Sequence, residues 1–394
     1  MHIGIVGPIH IPSLKKHIKS DISGWIVGMG GTPVNHHINA LLDDGHKVSV
    51  FSLTPELNVG EKFEWHQDNL SIYVGPFRKR ARRRCLDLFR QERNYIKTAI
   101  LSADPKIIHA HWQYEWAWAA LDSKIPTLVT CHDSPINVLK AQKDLYRLIR
   151  LVMSSIVLRK ADYLSAVSPY TAFSLKYFTR KQISIVPNFE PDHIFQLYSK
   201  DRKELGHLKI AMVNNGFFGL KNVSKGISAF IEFQKKFPDA ELYLYGFGHG
   251  KNQDAYKWCK KMNYEKNIHF KGEMNFDDLI KEFSQADILL HTSLEESCPM
   301  VVIEAFAWGM PVIGGKKSGG MPWMIENGCG CLVDVENVES IVNGLLYLSD
   351  KNIYSQSSTN ARKLALRRFS KESVMSQYFD LYNKVLLSER NVAR

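Results

Sequence analysis

Short apolar, β-branched runs alternate with amphipathic stretches from one end of the 394-residue chain to the other. That is the pattern of parallel sheets whose strands are joined by crossover helices. In the first half, strands are predicted at 2–6, 47–53, 70–74, 107–110, 127–130, 163–167 and 183–186. In the second half they are predicted at 208–213, 241–245, 268–271, 288–291, 311–314 and 330–333. A connector over 187–205, with Pro187, Pro191 and several polar residues, separates two α/β units. Beyond Phe369, the positions Val374, Tyr378, Leu381, Tyr382 and Val385 recur at helical spacing, with Ser370 as N-cap. The expected organisation is therefore a domain at 1–187, a second at 188–369 and a final helix within 370–394.

Composition narrows the class. With 45% apolar and 23% charged residues the chain is of globular type. Its longest nearly apolar stretch, 148–158, is broken by Arg150, Ser154 and Ser155, and a membrane span needs about 20 apolar residues. The N-terminus reads as a buried strand rather than a secretory signal. Cys85, Cys131, Cys259, Cys298, Cys329 and Cys331 are scattered, and Cys329-Gly330-Cys331 lacks the gap of a zinc knuckle. These features point to a reducing cytoplasm.

The formal charge of +11 is uneven: about +10 lies before Pro187 and +1 after it. Much of the excess sits in Arg78, Lys79, Arg80, Arg82, Arg83 and Arg84, and it continues through Arg90, Arg93 and Lys97. Either an anionic partner such as a membrane surface meets this segment, or it is a solvated cationic face. A nucleic-acid binder is not indicated, because no interleaving of aromatic and basic residues accompanies the charge.

Two stretches carry candidate chemistry. Gly28-Met29-Gly30-Gly31-Thr32-Pro33 precedes an amphipathic run, so free N–H groups at a helix start can meet an anion; a plain tight turn explains the same glycines. In the second half, a strand at 288–291 leads through Glu295 and Glu296 to a helix predicted over 299–308, which Gly309 stops. Glu296 then stands at a strand's carboxyl end and Glu304 two turns into the helix, both able to border the crevice where open α/β sheets bind ligands. Carboxylates accept hydrogen bonds from sugar hydroxyls, and the helix start at Ser297, Pro299, Met300 and Val301 offers N–H groups to phosphate.

This glutamate pair, followed by Ala305-Phe306-Ala307-Trp308-Gly309-Met310-Pro311, resembles the signature of the retaining glycosyltransferase family 4. The likeness continues in Gly30-Gly31, His109-Ala110-His111, Cys131-His132-Asp133, Pro187-Asn188, Lys225-Gly226, Gly246-Phe247-Gly248 and Ser318-Gly319-Gly320. It implies the GT-B architecture: two Rossmann-like α/β domains facing each other across a cleft, with the C-terminal helix returning to the N-terminal domain. The resemblance makes Glu304 the partner of the donor ribose and places Glu296 at the donor sugar. It puts Lys225 on the diphosphate, with Gly31, Gly246 and Gly248 in the donor site. Gly30 and Trp112 are candidates toward the acceptor, and His36 and His37, which follow the glycine turn, either touch it or face solvent. His132 would position the sugar or the acceptor hydroxyl. Asp133 reads as a cap or loop acceptor, and Trp112, Tyr114, Trp116 and Trp118 as sugar-stacking groups or core.

Two departures stand out. The family arginine six residues before the lysine is Gly219 here, leaving Lys221 to supply the second cation, and Trp323 replaces a common acid. No Asp-x-Asp loop is present, since Asp334-Val335-Glu336 reads as a surface turn; transfer without metal or other cofactor is expected. The implied function is transfer of a sugar from a nucleotide donor to a lipid-linked glycan in bacterial surface polysaccharide synthesis at the inner face of the membrane. The competing readings are a sugar-nucleotide epimerase of similar architecture and a non-catalytic binding protein of the same fold.

Overall fold

The structure, a computed structural model, describes residues 1–198 and 207–392. The part of the expected connector at 199–206 lies outside the described residues. The chain forms two compact units, one of Met1–Asn188 with Val374–Arg394 and one of Phe189–Ser373.

The first unit is built on β1 (His2–Val6), β2 (Lys47–Thr54), β3 (Phe63–Gln67), β4 (Leu70–Pro76), β5 (Ile107–His111), β6 (Thr127–Cys131), β7 (Tyr163–Ala166) and β8 (Ile183–Ile185). Their order is β3-β4-β2-β1-β5-β6-β7-β8. All neighbours are parallel except β3, which runs antiparallel to β4 at the edge. The central strands are buried and mostly apolar, as expected where helices cover both faces of a sheet. By contrast, β3 alternates half-buried Phe63, Trp65 and Gln67 with exposed Glu64 and His66. Its polar half hides it from an apolar-run reading. Trp25 packs edge-on to both Phe63 and Trp65 and covers its inner face.

The second unit carries β9 (Lys209–Val213), β10 (Glu241–Tyr245), β11 (Ile268–Gly272), β12 (Ile288–His291), β13 (Val312–Gly315) and β14 (Gly330–Val333). The order is β11-β10-β9-β12-β13-β14, parallel throughout. Strand order reverses between β1 and β5 in one unit and between β9 and β12 in the other. Open parallel sheets bind ligands outside the carboxyl ends of strands at such reversals.

The last helix spans Lys371–Val392. It is capped where expected, the Ser373 N–H donating to Ser370 Oγ at 3.3 Å. Val374, Met375, Tyr378, Tyr382 and Val385 are buried, and this stretch belongs to the first unit. Among the described residues no helix is long and apolar enough to cross a membrane.

Candidate active site

In the second unit, the loop leaving β12 is clamped to the turn Gly219–Lys221. The Leu294 N–H donates to the Leu220 carbonyl at 2.8 Å, and Thr292 Oγ1 donates to the Lys221 carbonyl at 3.1 Å. Asn222, in the left-handed region at φ 51°, ties the same turn to Val335 through Nδ2, at 2.8 Å. These bonds set Lys221 Nζ at 2.8 Å from Glu296 Oε1, which also lies 3.2 Å from His291 Nε2. Burial opposes the charge on Glu296. The hydrogen bond and charge at His291, joined by the Lys221 ammonium, outweigh it and hold the carboxyl down at about 2. Lys221 thus brings a cation to this site from the turn before the helix Val223–Gln234, and Lys225 stands exposed in that helix's first turn.

The helix after the loop is Met300–Ala307. Ser297, Pro299, Met300 and Val301 are half-buried at its start, and the Gly320 N–H fixes the Glu296 carbonyl at 2.7 Å. Glu304, only 5% exposed, is pushed up to about 7 by burial. Glu190, fully buried beside it, is pushed up by burial and by the charge of Glu304. No sequence motif pointed to Glu190.

At the ends of β9 and β10, Gly246 adopts φ 103° and packs so closely on the Asn214 carbonyl that a Cβ would collide with it. Gly248, at φ 87°, follows. Around this reversal several buried polar atoms have no hydrogen-bond partner: Asn214 Oδ1 and Nδ2, Ser293 Oγ and His291 Nδ1. Unsatisfied buried groups are costly, and several gathered at the ligand-binding end of one sheet are groups a ligand can satisfy. Sequence reasoning missed Asn214, His291 and Ser293; their place at the end of a predicted strand was the available signal. Trp323 packs on Phe369 and under the Arg368 guanidinium, 4.5 Å from its ring centre, so the departure there serves packing.

In the first unit, Gly31 caps the helix Thr32–Asp43 at φ 97°, with no room for a Cβ beside the Pro8 carbonyl. Gly30, at φ 88°, faces open space. Trp112, at φ 64°, stacks on His132 with ring centres 4.2 Å apart. Burial pushes His132 down to about 3, which leaves it neutral and a poor base, suited to positioning. Asp133 accepts hydrogen bonds from Tyr114 Oη at 2.6 Å and Gln113 Nε2 at 2.9 Å, the loop-acceptor role. Tyr114, Trp116 and Trp118 are core; Trp112 alone of the four is partly open.

Three expectations are corrected here. His37 does not reach toward an acceptor: it is buried with Nε2 on Tyr382 Oη at 2.8 Å. Arg78 is spent on Glu92 and Asp87, each at 2.7 Å. Arg84 is 8% exposed, packed on the Phe77 ring and bonded to the Arg78 carbonyl. The cations that do face solvent in this segment are Lys79, Arg80, Arg82 and Arg83. His36 is buried as well, at 9% exposure.

Two largely parallel α/β units, the second holding an ionised carboxylate against a lysine at its strand-order reversal, are the architecture of GT-B glycosyltransferases. The model of glycosyltransferase family 4 matches residues 31–189, and that of the glycosyl transferases group 1 matches 198–364. The chain belongs to glycosyltransferase family 4. It is 26% identical over 306 residues to the N-acetyl-alpha-D-glucosaminyl L-malate synthase of Bacillus anthracis, covering 72% of this chain and 76% of that one. It is 24% identical over 152 residues, 39% of each chain, to the UDP-Gal:alpha-D-GlcNAc-diphosphoundecaprenol alpha-1,3-galactosyltransferase of Escherichia coli. The solved Anabaena protein HepE, in complex with UDP and glucose, has the same fold at TM-score 0.70 and 16% identity, over 98% of this chain and 100% of that one.

Proposed function

We propose that this glycosyltransferase moves a sugar from a nucleoside-diphosphate donor to a glycan hydroxyl with retention of anomeric configuration and without metal. The ionised Glu296 beside Lys221 and His291, at the second unit's strand-order reversal, carries this reading. As the sugar leaves, negative charge grows on the diphosphate and positive character on the anomeric carbon. Lys221, Lys225 and the N–H groups at the start of Met300–Ala307 stabilise the first, and Glu296 holds the sugar. Glu304 takes the ribose hydroxyls. The acceptor oxygen attacks on the face the diphosphate leaves, and the departing phosphate oxygen takes its proton, so neutral His132 positions rather than deprotonates.

A melting-temperature panel of nucleotides and nucleotide sugars tests this. A donor at about 100 times its Kd stabilises the native state by about 2.7 kcal/mol, a rise of several degrees; UDP leads the panel because HepE was solved with it. Lys221→Ala is expected to weaken donor binding about tenfold. A panel in which no nucleotide sugar shifts the melt removes the donor assignment, and an unaltered affinity in the lysine variant removes Lys221 from the diphosphate.

The acceptor is proposed to be lipid-linked, in bacterial surface polysaccharide assembly at the inner membrane face; the name of the Escherichia coli relative states such an acceptor for that enzyme. Lys79, Arg80, Arg82 and Arg83 each contribute about 1 kcal/mol toward an anionic surface. Next to them Leu86 is 79% exposed, and the helix Leu145–Lys160, which packs on this segment, exposes Leu145, Leu148 and Val152. Sedimentation with phosphatidylglycerol vesicles is expected to show binding that falls at least tenfold from low to high ionic strength. Absent or salt-insensitive binding would count against the membrane surface.

A further inference from the structure

A cluster in the first unit is left over from this chemistry. His37 on the helix Thr32–Asp43 and His109 and His111 on β5 each bring one ring nitrogen within 4.8 Å of the others, all in the core. Residues 109 and 111 share one face of their strand. Their rings stack at 4.2 Å, and His37 stands edge-on to them at 4.7 and 5.5 Å.

The hydrogen bonds divide the ring nitrogens into two sets. His109 Nε2 lies 2.6 Å from Thr130 Oγ1, which is itself 2.6 Å from Ser165 Oγ, and His111 Nδ1 lies 2.9 Å from His132 Nε2. The remaining nitrogens have poorer partners. His37 Nε2 and His109 Nδ1 share the single hydroxyl of Tyr382, each at 2.8 Å. His111 Nε2, on a residue only 2% exposed, has no hydrogen-bond partner. With His111 Nδ1–H donating to His132, that nitrogen is a bare lone pair in the core, costly if nothing meets it.

We propose that His37 Nε2, His109 Nδ1 and His111 Nε2 bind one divalent transition-metal ion of the zinc type, with the Tyr382 oxygen closing the fourth side. Three imidazoles are a common zinc ligand set, with Zn–N bonds of about 2.1 Å, which place the nitrogens about 3.4 Å apart in a tetrahedron. From 4.8 Å at most, the rings reach that spacing by side-chain rotation of about an ångström. Burial pushes all three well down, His37 to about 3, so they present neutral lone pairs. Ligating histidines almost always have the other ring nitrogen held by a hydrogen-bond partner, as Thr130 holds His109 and His132 holds His111. The ion is structural, apart from the donor phosphates: it joins β5, the helix Thr32–Asp43 and the terminal helix, and steadies His132 through His111.

The test uses the full-length, tag-free chain, stripped with chelator and dialysed against zinc or cobalt(II). About one zinc per chain retained through gel filtration, a higher melting temperature and the intense visible bands of four-coordinate cobalt(II) are expected. His37→Gln and His111→Gln each abolish the bands, whereas His207→Gln, a change at an exposed position, leaves them. Because a core variant can fail to fold, the unaltered chain decides alone: failure to retain the ion overturns the site. So does retention with unchanged bands in the folded His37 and His111 variants. The cluster is then a core hydrogen-bond network only.

Discussion

Exchange of Glu296 for glutamine is expected to lower kcat for sugar transfer by about a hundredfold, with a much smaller rise in donor KM. The side chain keeps its volume and loses its charge. That charge is what Lys221 and His291 hold in place at 2.8 and 3.2 Å, and what opposes the positive character on the anomeric carbon as the bond breaks. A ground-state contact alone would raise KM instead. Single-turnover rates with saturating donor separate the two, and a fall of less than tenfold removes Glu296 from the donor sugar. The same carboxyl has a stability signature. Its native value of about 2 lies below the ordinary 4.5, so its contribution is complete above about pH 4.5 and is lost as the pH falls toward 2. In the glutamine variant that portion of the acid sensitivity should disappear.

Glu304→Gln should act in the opposite direction on stability. Burial raises this carboxyl from 4.5 to about 7. Below pH 4.5 it is protonated whether the chain is folded or not. As the pH rises from 4.5 through 7 the unfolded chain ionises first, and native stability is lost, by about 3 kcal/mol at the upper end. Neutral glutamine avoids this loss, so the ligand-free variant is expected to melt higher than the unaltered chain at pH 8 and at nearly the same temperature at pH 4.5. Donor binding should suffer. Ribose hydroxyls donating to an ionised Glu304 favour loss of its proton, so nucleotide affinity should rise with pH up to about 7, on the order of tenfold per pH unit at most. In the variant this dependence flattens. Titration calorimetry in buffers of different ionisation enthalpy reads the released proton directly. Nucleotide affinity that is flat with pH in the unaltered chain rules out the ribose role.

The alternation of apolar runs and amphipathic stretches located the parallel strands because buried strands carry continuous apolar sequence. The edge strand Phe63–Gln67 escaped because half its side chains face water. The Glu296–Glu304 spacing was readable because both residues hang on one strand–loop–helix segment. Glu190 was not, since it approaches Glu304 only through the folding of Phe189–Ser373. The same holds for Asn214, which lies far along the chain from Ser293 and meets the shared site through the pairing of β9 with β12. Charge runs were the least reliable guide. Six cations within seven positions looked alike, yet Arg78 and Arg84 turn inward onto Glu92 and Phe77, because a guanidinium can be buried when an acid or an aromatic face receives it.

The final helix supplies Tyr378 and Tyr382 to a unit whose other residues end at Asn188. During synthesis the ribosome delivers that unit's whole sheet first and its closing piece last, after the second unit has been made. Until then His37 and His109 lack the phenol that bonds them. The first unit to begin folding is therefore the last to finish, and a chain released early leaves a histidine-lined core open to solvent and to free metal ions.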